Sequence, residues 1–136
     1  MSNRKTPLNE VETALALGRL AHERKPLEMV LLDLRQICSF TDFMLILTGR
    51  STRQVISLGE YILREAKGRG IRPIGREGLR RGHWILLDFG QVVVHIFLDE
   101  IKDYYDLEGL WVDATRYDWS DADRTPSLGV LPKEAG

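Results

Sequence analysis

His83-Trp84-Ile85-Leu86-Leu87-Asp88-Phe89-Gly90-Gln91-Val92-Val93-Val94-His95-Ile96-Phe97-Leu98 is apolar at nearly every position on both sides of Gly90. Successive side chains of a strand point to opposite faces, so a run without polar alternation belongs to a strand covered on both. Gly90 supplies the turn residue. The stretch therefore reads as two strands, His83 to Phe89 and Gln91 to Leu98, paired as a hairpin at the centre of a sheet.

Working outward, Pro7 to Glu23 reads as a first helix. Asn9 and Glu12 have capping-box spacing, and Leu8, Val11, Leu15 and Gly18 share a face. Pro26 ends it, and Glu28 to Leu34 is a short apolar strand. Arg35 to Asp42 has loop character, and Phe43 to Thr48 is a buried strand stopped by Gly49. Ser51 and Gln54 form a second capping box, opening a helix to about Lys67 with the stripe Val55, Leu58, Gly59, Ile62 and Ala66. Ile71 to Gly75 is a short strand, placed at an edge because Pro73 cannot donate to a ladder. A basic, glycine-rich loop, Arg76 to Gly82, leads into the hairpin. After it come a short helix, Asp99 to Tyr105, and the segment Leu107 to Trp111 packing behind.

The order is α-β-β-α-β-β-β-α, an α/β (α+β) two-layer sandwich on a mixed five-stranded sheet. Residues 1–8 form a leader, 9–114 one domain and 115–136 a polar tail with few core candidates. Two full helices and a short one do not cover both faces of such a sheet. Its remaining apolar surface must be buried by the tail, a second copy or a partner, which favours an interaction surface over a deep cleft.

A chain of 136 residues has room for one real core. Its apolar runs are too short to span a bilayer, and its N-terminus lacks the apolar stretch of a secretory signal. The single cysteine, Cys38, excludes an internal disulfide and a multi-cysteine metal cluster. These features point to the cytoplasm. The net charge of −1 conceals an asymmetry: residues 1–98 carry 15 Lys and Arg against 10 Asp and Glu, and residues 99–136 carry 4 against 10. Arg64, Lys67, Arg69, Arg72, Arg76, Arg80 and Arg81 crowd together with only Glu65 and Glu77 opposing. Such a segment suits phosphate or an acidic protein surface, or is simply a solvated helix end and loop.

Candidate chemistry is sparse. Gly49-Arg50-Ser51 stands between a strand and a helix start, where free amides and the helix dipole favour an anion; helix capping is the competing reading. The turn lacks the Walker pattern. A strand followed by Gly and Ser at a helix start also suggests a nucleotidyltransferase, which holds metals with paired carboxylates on adjacent strand positions. Here Asp42 and Asp88 fall at strand ends, and the single Asp-x-Asp, Asp121 and Asp123, lies in the tail. His95, mid-strand among valines, reads as a satisfied interior or interface residue, and no histidine pair has ligand spacing. No metal site and no cofactor follow. Trp84, Tyr104, Tyr105, Trp111, Tyr117 and Trp119 are interleaved with acids rather than with Arg and Lys, which favours a protein partner over base stacking.

Three ordered signatures then carry a resemblance. They are Asp42-Phe-Met-Leu-Ile-Leu-Thr-Gly49 with Ser51 and Gln54; Glu77-Gly78 with the hairpin quoted above; and Tyr105-Asp-Leu-Glu-Gly-Leu-Trp111. Over roughly residues 9–114 the chain resembles the Iojap-like ribosome silencing factor family. The resemblance implies a fold related to nucleotidyltransferases without their catalytic acids, and a non-enzymatic protein. It also implies docking on the large ribosomal subunit through a ribosomal protein near the intersubunit face, blocking the small subunit and repressing translation. A homodimer when free is implied as well. Separately, the charge of Arg64–Arg81 alone offers a contact for ribosomal RNA. Carried over residue by residue, the partner surface comprises Trp84, Ile85, Glu77, Lys102 and Tyr105. Lys102 stands where relatives have Arg, which removes bidentate carboxylate recognition there. The alternative is a nucleotidyltransferase-like nucleotide-binding enzyme using Gly49 and Ser51.

Overall fold

The computed structural model describes residues 8–101 and 113–118. Among the described residues two full helices, α1 (Glu10–Glu23) and α2 (Thr52–Gly68), accompany six strands. These are β1 (Glu28–Asp33), β2 (Phe43–Gly49), β3 (Gly75–Glu77), β4 (Trp84–Asp88), β5 (Val92–Leu98) and β6 (Thr115–Asp118). They make one sheet in the order β3-β4-β5-β2-β1-β6. β2 and β5 run parallel and every other neighbouring pair is antiparallel. The mixed α/β sandwich read from the sequence is present.

Its strand count needs correction from five to six. β6 arises inside the segment expected to be a polar tail from residue 115. Thr115-Arg-Tyr-Asp118 has one apolar side chain, Tyr117, too little for a periodicity signal. Its strand identity comes from backbone pairing with β1, where Leu31 faces Tyr117 and Leu32 faces Arg116. The third strand is also displaced: Ile71 turns into the core, Pro73 offers no N–H, and the Gly75–Asp88 pairing opens β3 beyond the proline. The helix expected over Asp99 to Tyr105 is helical through Ile101. Its remainder and the segment Leu107 to Trp111 lie outside the described residues, as do 1–7 and 119–136.

Alternation along the strands builds two cores. Leu31, Phe43, Leu45, Leu47, Ile85, Leu87, Val92, Val94 and Ile96 point to the helix side. There they meet Ala14, Leu17 and Leu20 of α1 and Val55, Leu58 and Ile62 of α2. The other parity, Val30, Leu32, Leu34, Met44, Ile46 and Phe97, forms a second buried cluster against which Cys38, Trp84 and Ala114 pack. β2 is therefore buried at every position, as its unbroken apolar run requires. Each such side chain stabilises the fold by about 1.5–3 kcal/mol when taken from water. The helix-free face is thus closed at its centre. Ile37, Phe40 and Ile74 are exposed outside the strands, and among the described strand residues of this face the half-buried apolar side chains lie on the β4–β5 side. There Trp84, Leu86, Asp88 and Val93 are half-buried.

Candidate functional site

Register places the residues of that side face. Trp84 pairs with Phe97, Leu86 with His95 and Asp88 with Val93; on the edge strand Glu77 pairs with Leu86. Directly paired residues project from the same face, so Glu77, Trp84, Leu86 and Val93 share one surface. Ile85 does not. It is wholly buried on the opposite face, beneath α2, where a Cβ added at Gly59 would stand 3.1 Å from its Cδ1. Of two adjacent strand residues only one can face outward, and this corrects the assignment of Ile85 to a partner surface. Leu86 and Val93, half-buried, are the residues that share the face of Trp84. The residue-level alternation Trp84-x-Leu86 carried that signal, but the continuous apolar run masked it.

Trp84 is held at the rim of this surface. Its ring stacks on Phe97 with centroids 5.2 Å apart, and its Nε1–H donates to His95 Nδ1 at 3.0 Å. His95 and Phe97 are themselves parallel at 6.0 Å. Desolvation lowers the His95 pKa to about 4, so the imidazole is neutral near pH 7. An indole N–H only donates; Nδ1 must therefore carry the lone pair and Nε2 the proton. The reading of His95 as a satisfied interior residue agrees with this partner.

The loop before β4 is pinned by glycines that must stay glycines. Gly78 has φ +85°, and a Cβ there would overlap the Trp84 carbonyl oxygen. Gly82, at φ +73°, donates its N–H to the Gly78 carbonyl at 3.1 Å and leaves no room for a Cβ against Thr52 and Ile56. Leu79 between them packs against the main core. Glu77, exposed on β3, enters this loop. Lys102 and Tyr105 lie outside the described residues.

The Gly49–Ser51 turn is engaged in holding α2. Ser51 Oγ accepts from the Gln54 N–H at 3.1 Å. The Gln54 side chain does not close a capping box on Ser51: its Oε1 accepts from the Arg50 N–H at 2.7 Å and its Nε2 donates to the Lys25 carbonyl at 3.2 Å. Gly49 is required for packing, since a Cβ there would approach Val55 Cγ2 to 2.8 Å. Of the strand-end carboxylates, Asp88 serves local structure: its Oδ1 accepts from the Gly90 N–H at 2.8 Å and shapes the hairpin turn.

The seven basic residues from Arg64 to Arg81 are all exposed. Arg64 and Arg69 approach Glu65 at 3.7 and 4.0 Å, pairs too exposed to matter for stability. Arg69 and Arg72 join Arg19 along an open groove of about 1010 Å³ floored by Leu15, Ile71 and Phe89. Arg76 sits on β3, and Arg80 and Arg81 lie in the loop before Trp84. The sequence run is thus distributed over α2, the groove, β3 and the loop before Trp84. Among the described residues no three His, Cys, Asp or Glu side chains gather in a metal-binding group. None of their helices is long and apolar enough to cross a membrane.

The family model described as "Ribosomal silencing factor during starvation" matches residues 7–132. A ribosomal silencing factor of Chromobacterium violaceum is 39% identical over 84 residues, covering 62% of this chain and 69% of that protein. One of Bacillus subtilis is 36% identical over 104 residues, covering 76% of this chain and 88% of that protein. A crystal structure of a protein from Chromobacterium violaceum superposes with a TM-score of 0.68 at 33% identity, covering 82% of this chain and 96% of that one.

Proposed function

The chain belongs to the ribosomal silencing factor family, and we propose that it docks on the large ribosomal subunit and blocks joining of the small subunit. The observation that carries the docking site is the half-buried strip of Trp84, Leu86 and Val93 beside Glu77. A large aromatic set beside apolar strand residues, with a charged neighbour in Glu77, is the composition of a protein-binding hot spot. The partner is a ribosomal protein near the intersubunit face, with Lys102 and Tyr105 adding contacts and Arg64–Arg81 available to ribosomal RNA. The protein acts in the cytoplasm and is a homodimer when free. Its fold is related to nucleotidyltransferases, but it is not an enzyme.

Silencing of this kind makes and breaks no covalent bond. A docked body occupies space that the small subunit needs, so affinity and concentration set the degree of repression. The enzyme alternative gains little from this turn, where Ser51 Oγ accepts from the Gln54 N–H and the Arg50 N–H donates to Gln54 Oε1.

Sedimentation with separated ribosomal subunits, followed by light scattering as they are mixed, tests the reading. Co-migration with the large subunit alone and slowed joining are expected. Absence of co-migration at physiological salt overturns it.

A further inference from the structure

We propose that His95 is the positioning residue of the docking surface, holding the Trp84 indole in its binding orientation through the Nε1–H···Nδ1 bond. The inference rests on the reading of Trp84 as a partner contact and adds to it the group that sets the ring's orientation. Phe97 and His95 lie two residues apart on β5 and face the same side. Phe97 stacks on the indole with centroids 5.2 Å apart, a contact with little directional preference. The 3.0 Å bond to Nδ1 adds a directional one, made to a specific edge of the ring. Register makes the contact a diagonal one: His95 stands opposite Leu86, and Trp84 reaches across to it.

The histidine is suited to this task by its surroundings. It is 6% exposed, and its strand position faces Ile46 on β2 and Leu86 on β4, both apolar. An imidazole there stays neutral and keeps a lone pair at Nδ1. A rim tryptophan immobilised before docking loses less side-chain freedom on binding, which raises affinity without adding a contact.

The test uses the full-length chain and point variants at His95 and Trp84. His95→Phe keeps the ring stack and removes the acceptor; His95→Asn places an amide oxygen close to the position of Nδ1; Trp84→Phe identifies one of the three indole cross-peaks in an ¹⁵N–¹H spectrum. In His95→Phe the Trp84 indole resonance should move and exchange faster with water, and large-subunit affinity should fall by roughly 3- to 10-fold. His95→Asn should restore both toward the parent. An unmoved indole resonance in folded His95→Phe overturns the proposal. So does a moved resonance with unchanged affinity, provided Trp84→Ala weakens binding, and then the docking site stands. Unchanged affinity in Trp84→Ala instead removes the docking site itself and the proposal with it. If His95→Phe does not fold, His95→Asn and His95→Ala give the same comparison of resonance against affinity.

Discussion

Gly78 lies against the backbone of Trp84 so closely that a Cβ on the glycine would overlap the tryptophan's carbonyl oxygen, and its φ of +85° is one that other residues rarely adopt. The loop carrying Glu77 is therefore locked to the strand carrying Trp84. The Gly78→Ala variant should lose about 2–4 kcal/mol of stability, from positive-φ strain plus displacement of the loop. Urea denaturation measures it; a loss below about 0.5 kcal/mol shows that the loop moves aside freely.

Neighbours on β4 should separate stability from binding. Ile85→Ala opens a cavity beneath α2 and should cost about 2–5 kcal/mol. Leu86→Asp, on the half-buried face, should leave the fold largely intact while weakening co-sedimentation with the large subunit at least tenfold. The reverse pattern would mean that the docking face has been placed on the wrong side of the sheet.

Trp84→Ala should fold and lose more than about 1–2 kcal/mol of large-subunit affinity, as anchor residues do. Binding unchanged from the parent, measured by titration with isolated large subunits, excludes Trp84 as an anchor.

Stability should depend on pH through His95. Its pKa is about 4 in the folded chain and 6.5 ordinarily. Between these values the unfolded chain binds a proton that the folded chain refuses, so stability rises with pH across that window. It is fully present above pH 6.5 and lost as pH falls toward 4, by about 3 kcal/mol. Other groups titrate in the same range, so the difference between the parent and His95→Phe isolates this contribution. Parallel stability curves from pH 7 to pH 4 would rule it out.

Ser51→Ala should destabilise α2 by about 1 kcal/mol through loss of its N-cap. Because the turn's groups are spent on capping, millimolar phosphate should leave the melting temperature of the parent unchanged. A phosphate-dependent rise abolished by Ser51→Ala would instead assign the turn to anion binding.

Much of the architecture was legible in particular residues. Asn9 and Glu12 announced the first cap, and the observed box, 2.7 and 3.0 Å, is the one their spacing implies. The Val55 to Ala66 stripe lies buried on α2 as its period requires. The unbroken apolar runs of β2 and β5 showed that both faces are covered, but not which strand lies beside which: β2 and β5 are partners far apart in the chain. β6 was illegible because its pairing is a property of the backbone and not of its polar side chains. At the site, Trp84 and Ile85 both came from the resemblance; the residues themselves only counted Trp84 among the aromatics, and a run lacking polar alternation hides the parity that turns Ile85 inward.

The parallel pairing of β2 with β5 has a consequence for how the molecule comes into being. Phe43 cannot meet Val92 until nearly all of the described chain exists, and the helix α2 and the hairpin of β4 and β5 must first be made. A chain still being synthesised can form α1, the β1–β2 pair and α2, all local, but leaves one edge of β2 unpaired. Insertion of β5 into that gap is the non-local step on which folding waits. The contacts among Trp84, His95 and Phe97 belong to the β4–β5 hairpin and form with it, ahead of the insertion that sets Ile46 beside His95. The part of the molecule that carries Trp84 is thus built locally, and only its attachment to the rest of the sheet is non-local.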